Sequence, residues 1–270
     1  MQSNGDPLRD ARAKLDRAEE HADLLKTEWQ AFVDTHPYGL RIERDLDVVE
    51  VFFQVLKEVP PRLLAILGDL LHNLRGALDY TAVALVAANG GDISRAAFPI
   101  YLSEEDFIRD IRCRGKRRSP GPLDGIPIES KEGTFIESLQ PYKRGDAMHA
   151  DPLYSLVVLS NRDKHRMLNP AYGGMIGEDG LSILQWNTDA ILIEGVAWWK
   201  SGMPLREGAK IAWLRFDTRG AYPTMGVKNP LAIEIFFASE SKNGIGPTAG
   251  LGSIRTHVAQ IVNDAEVFFS

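Results

Sequence analysis

One long helix, about Pro61 to Ala88, is apolar on nearly every side and carries a single polar island at its centre. No other stretch restricts the fold as much, because a helix of this kind has to be covered by other elements. The island lies in Gly68-Asp-Leu-Leu-His-Asn-Leu-Arg-Gly-Ala-Leu-Asp79. At roughly 100° per residue, His72 and Asp79 fall within about 20° of each other, and Arg75 within about 60° of His72. Leu63, Leu67, Leu70, Leu74, Ala77 and Leu85 make the opposite face apolar. At both ends the polar side itself reverts to Leu64, Ala65, Ala82, Val83 and Val86. A wet outer face with an Arg75–Asp79 pair one turn apart accounts for the charges. It does not account for Gly68 and Gly76 on the same side, each costing up to ~1 kcal/mol relative to alanine. Small residues there predict close approach by another helix or a ligand, and so an island at least half covered.

A second polar run ends a helix read from Asp151 to Leu168. Tyr154, Val157, Val158, Asn161, Lys164, His165 and Leu168 lie within about 60° of one line, while Arg162, Asp163 and Arg166 point elsewhere. The apolar face therefore runs directly into Asn161, Lys164 and His165. Stacked on the first island, these residues bring His72, Arg75, Asp79, Asn161, Lys164 and His165 to one spot, and the two runs are expected to meet. Such a cluster serves acid–base chemistry or phosphate binding. It serves equally as a buried polar network that fixes helix register.

The remaining elements follow from period and punctuation. Asp6-Pro7 opens a helix, and Leu8, Ala11, Leu15, Ala18, Ala22, Leu25, Trp29 and Phe32 continue it to Asp34 as a heptad seam. The edge of a bundle is preferred to a coiled-coil dimer. A β-hairpin follows over 39–59, turning at Asp45-Leu-Asp47. Short helices are expected near Phe107–Ile111 and Glu129–Leu139, the second ended by Gln140-Pro-Tyr142. Leu181–Trp186, Ala190–Trp199, Lys210–Asp217 and Leu231–Phe237 read as an antiparallel sheet, and 253–268 as a closing helix. The fold class is α+β: a helical bundle with an N-terminal hairpin and a C-terminal antiparallel sheet. Residues 1–270 read as a single domain, with a helical region over 1–170 that includes the hairpin and a β-rich region over 181–238.

Charge and motif content narrow the function classes. No apolar run reaches the roughly 18 residues of a membrane span, and the N-terminus has no signal-peptide pattern. A cytoplasmic protein with no membrane contact is expected. A net charge of −6 argues against a surface that coats nucleic acid. Arg109, Arg112, Arg114, Lys116, Arg117 and Arg118 nonetheless form a basic run, read first as a solvated loop and second as a phosphate-steering patch. Cys113 is the only cysteine, so multi-cysteine zinc sites and an internal disulfide are excluded. His72, His165, Asp69 and Asp79 lack the spacing of a metal site, and no metal is expected. Gly244-Ile-Gly246-Pro-Thr-Ala-Gly250 has the wrong spacing for a dinucleotide loop, and no cofactor is expected.

Taken together, Gly68–Asp79, Phe98-Pro-Ile100, Gln140-Pro-Tyr142 and Asn161-Arg-Asp-Lys-His-Arg166 resemble, in that order, the signatures of a widespread family of uncharacterised bacterial proteins. A fainter similarity runs to the higher-eukaryote-and-prokaryote nucleotide-binding (HEPN) helical bundles, many of them metal-independent ribonucleases. Arg162 and His165 stand closer than that family's Arg-to-His spacing, and Arg144 to His149 matches it only in a glycine-containing loop. The HEPN resemblance implies His165 as general acid or base, with Arg75 or Lys164 stabilising a phosphorane-like charge. Two classes of function stay open. One is an RNA- or nucleotide-directed site, with Arg75, Asp79 and His165 catalytic and His72, Asn161 and Lys164 binding. The other is a non-catalytic interaction protein, partnered by a second copy or another chain, whose polar cluster is structural.

Overall fold

The computed structural model describes residues 5–112, 121–164, 170–175, 184–186, 189–197, 206–217, 219, 224–227, 232–237 and 249–269. The fold is α+β. Helices α1 (Arg9–Val33), α2 (Pro61–Ala88), α3 (Glu104–Phe107), α4 (Lys131–Ser138), α5 (Pro152–Lys164) and α6 (Ala249–Asp264) follow the expected order. Strands β1 (Tyr38–Asp45) and β2 (Val48–Val55) form the early hairpin. Later strands are β3 (Pro170–Met175), β4 (Leu184–Trp186), β5 (Leu192–Ala197), β6 (Lys210–Phe216), β7 (Met225–Val227) and β8 (Ala232–Phe237). Among the described residues no helix is long and apolar enough to cross a membrane.

The chain divides into two compact units: 1–26 with 62–167 and 248–270, and 27–61 with 168–247. The hairpin thus belongs with the later strands rather than with the helices. A two-stranded hairpin is marginal alone in water, and β2 gains a second partner in β6. The resulting antiparallel sheet has the order β1-β2-β6-β5. Val49, Val51 and Phe53 of β2 and Ile211, Leu214 and Phe216 of β6 are buried in it. Among the described residues the β-rich region also contains two further antiparallel ladders, β3 with β8 and β4 with β7.

In the first unit, α2 is the central element: fourteen of its residues are buried, including all six of the predicted apolar face. Its C-terminus closes on Gly90 in the left-handed region, with the Gly91 N–H donating to Val86 O and the Gly90 N–H to Ala87 O. A Cβ on Gly91 would lie 2.0 Å from Asp124 O, so only glycine admits that crossing chain. Helix α1 buries Ala11, Ala18 and Leu25 from its seam, and Leu8 just before it is buried as well. Its partners here are α2, through a Lys14 Nζ–Asn73 Oδ1 bond of 3.2 Å, and α6, through a Glu19–Arg255 pair of 3.0 Å. That is bundle packing.

Candidate functional site

The segment Phe98–Tyr101 has no strand partner, so its backbone groups have to be satisfied by side chains. Asp79 Oδ1 accepts the Phe98 N–H at 2.9 Å, and Arg75 Nη2 donates to Phe98 O. The same Nη2 lies 3.2 Å from Asp79 Oδ1. One turn of α2 thus grips both polar groups of a single residue. Gln140 does the corresponding work further along: its Oε1 accepts the Tyr101 N–H, and its Nε2 donates to Pro99 O, each at 2.9 Å. A third bond, from Nε2 to Ile136 O, ties the amide to α4. The Ala97 N–H donates to Pro122 O at 3.2 Å. Three of the four signature runs therefore meet at this strap.

The strap forms one wall of a cavity of about 330 Å³. Facing it are Arg75 of α2, Pro122, and Val157, Ser160 and Asn161 of α5. Arg75 and Asn161, one from each polar run, line this same cavity. Both bonds of Arg75 to the strap and to Asp79 leave from Nη2, and the guanidinium is half-buried. Ser160 Oγ is buried and has no hydrogen-bond partner among the described residues.

Other predicted site residues fare differently. Asp79 is half-buried but does not line the cavity; its carboxylate is given to Phe98 and Arg75. His72 is exposed and is not part of the cavity wall. The island is thus covered at Arg75 and Asp79, where the strap crosses, and uncovered at His72, about two turns before Asp79. Beside His72 it is Asn73 that points inward, held by Lys14 and donating to Asp69 O at 2.8 Å. The Lys164 side chain and all of His165 lie outside the described residues, as does most of the basic run, of which Arg109 pairs with Asp106 at 2.7 Å.

Two residues of the site escape sequence reasoning. Gln140 reads as the stop of a helix, and its long-range role leaves no periodic trace. Ser160 is one polar position on an apolar helix and has no local mark. The fold and cavity together define an α+β protein in which α2 and α5 flank a strap-walled, mainly apolar pocket that carries Arg75 and Asn161. No family model matches the chain, and neither a curated protein nor a solved structure matches it.

Proposed function

We propose that the Arg75–Asn161 cavity binds a single nucleotide unit, as a free mononucleotide or as a residue of an RNA. In this reading Asn161 contacts the ligand, and the edge of Arg75 not engaged by the strap meets its phosphate. His165, four residues past Asn161, is general acid or base of a metal-independent phosphodiester cleavage, with Lys164 as a further phosphate contact. The observation that carries the reading is the convergence of Arg75 and Asn161, one from each polar run, on one cavity. Its volume is at the lower end of the range of small-molecule sites, which favours one nucleotide over a longer stretch.

Titration calorimetry with mononucleotides, and cleavage of mixed RNA in chelator, test the proposal together. Asn161→Ala is expected to weaken binding about tenfold, the loss of roughly one hydrogen bond. His165→Ala is expected to bind as wild type does and to abolish cleavage. Wild-type protein that neither binds nor cleaves at millimolar ligand would end the proposal.

One observation favours a structural reading instead: Arg75 and Asp79 are both engaged with the backbone of Phe98. On that reading Asn161→Ala changes nothing measurable, and Arg75→Ala alone lowers stability by leaving a buried carbonyl unpaired.

A further inference from the structure

His257 stands apart from the cavity, at the edge of the buried face of α6. Ile254, Val258 and Ile261, its neighbours at helical spacing, are all buried. The imidazole is half-buried, and its Nε2 is enclosed with no hydrogen-bond partner among the described residues. Helix α6 packs against α5. Three charged groups act on the imidazole: Asp151, which caps α5, Arg144 of the 3-10 run Pro141–Ala150, and Asp264 at the end of α6 itself.

Those charges do not offer the ring a good counter-ion. The Asp151 carboxylate is already engaged at both oxygens: Oδ1 accepts the Leu153 and Tyr154 N–H groups at 2.8 and 3.4 Å, and Oδ2 accepts Arg144 Nε at 3.0 Å. Its side chain is 2% exposed, so it can swing toward a new partner only by uncapping α5. Protonating His257 would place a cation beside an occupied carboxylate and a guanidinium, in surroundings that already exclude water at Nε2. Desolvation is the largest influence and holds the imidazole below its ordinary range; Arg144 acts in the same direction, and Asp151 and Asp264 oppose it.

We propose that His257 makes the docking of the C-terminal helix α6 on α5 a pH-dependent latch, closed with a neutral imidazole and loosened by its protonation. The direction follows from linkage. An unfolded or undocked imidazole titrates near 6.5, and the docked one titrates lower. The docked state is therefore favoured fully above about pH 6.5, and the advantage is lost as pH falls through the docked value. Because α5 also carries Ser160 and Asn161, the latch bears on the element that lines the cavity. The latch acts whatever that cavity binds.

The experiment compares the full chain with His257→Gln, which keeps a neutral polar side chain that cannot be protonated. His149→Gln is the control, since His149 is exposed and packs edge-on against Tyr154 at 4.7 Å. Between about pH 7.5 and 5.5, the range that brackets the ordinary imidazole value, the wild type and the control are expected to lose several degrees of Tm more than His257→Gln. Amide exchange across 251–262, corrected for the intrinsic pH effect, is expected to quicken over the same range in wild type and not in the variant. Should the variant fail to fold, the His257 ring-proton titration in wild type decides alone. A midpoint clearly below about 6.5 upholds the latch. A midpoint at or above that value, or parallel Tm curves for wild type and His257→Gln, overturns it.

Discussion

Gln140 has no exposed surface, and both ends of its carboxamide are bonded, to Tyr101 on one side and to Pro99 and Ile136 on the other. Replacing it by leucine keeps the volume and strands one N–H and two carbonyls. At about 1–3 kcal/mol for an unsatisfied buried group, and with some relaxation, Gln140→Leu should cost roughly 2–4 kcal/mol in urea unfolding. Gln140→Glu tests the same geometry differently. A carboxylate at that position would face two carbonyl oxygens, so its stability deficit should shrink as the pH is lowered and the acid proton restores one donor. A Gln140→Glu deficit that stays flat with pH would mean that the amide does not sit between these carbonyls.

At the scale of elements, the glycines separate a true close approach from an apparent one. A Cβ at Gly133 in α4 would lie 2.3 Å from Pro127 O and 2.5 Å from Ile128 O, which are backbone atoms with no room to give. Gly133→Ala should therefore destabilise by about 1–3 kcal/mol. A Cβ at Gly76 would meet only the side chain of Lys14, with Cδ and Cε both at 3.4 Å. Gly76→Ala should then be neutral or stabilise by up to ~1 kcal/mol through helix propensity. In the β1–β2 turn, Leu46 is 82% exposed and held at φ 51°. Leu46→Asn should raise stability by about 0.5–1 kcal/mol, since asparagine tolerates the left-handed region and no packing is lost. A fall in the denaturation midpoint of Leu46→Asn would contradict that backbone geometry.

These same elements show what a sequence can carry. The ends of α2 and the caps at Ser103 and Ser130 are written in consecutive residues, through proline, glycine and hydroxyl placement. Helix α2 accordingly spans the same residues, Pro61–Ala88, in sequence and in structure. Strand β3 has no such signal, because Pro170-Ala-Tyr-Gly-Gly-Met175 has two glycines and no alternation to read. The pairing of β2 with β6 joins residues far apart in the chain, Val49 with Leu214 for one, and no local pattern encodes it. The site divides along the same line. Arg75 and Asn161 are visible as polar breaks in apolar helices, whereas the strap's dependence on Gln140 arises only from folding.

For the molecule as a whole, the sheet bears on which surfaces could take nucleic acid. On β1, β2 and β6, Arg41 and Lys210 lie over the Phe52 ring and Arg215 over Trp213. Each of these cations also pairs with a carboxylate: Arg41 with Glu43, Lys210 with Glu50, and Arg215 with Asp47. Aromatic rings and cations otherwise suited to single-stranded RNA are thus already neutralised. Charge reversal of Lys210 is expected to leave any RNA affinity unchanged, by filter binding, while Asn161→Ala lowers it. The helical unit depends on its last helix in another way. Leu251, Ile254, Val258, Ile261, Val262 and Ala265 are all buried, so a chain stopped before residue 249 should lose cooperative unfolding.

The grip on the strap has a consequence for observation. The amide protons of Phe98 and Tyr101 are held by the side chains of Asp79 and Gln140, not by another stretch of backbone. Their chemical shifts and exchange lifetimes are therefore built-in reporters of two side-chain contacts. A molecule entering the cavity would announce itself there in a spectrum, with no label introduced and no residue changed.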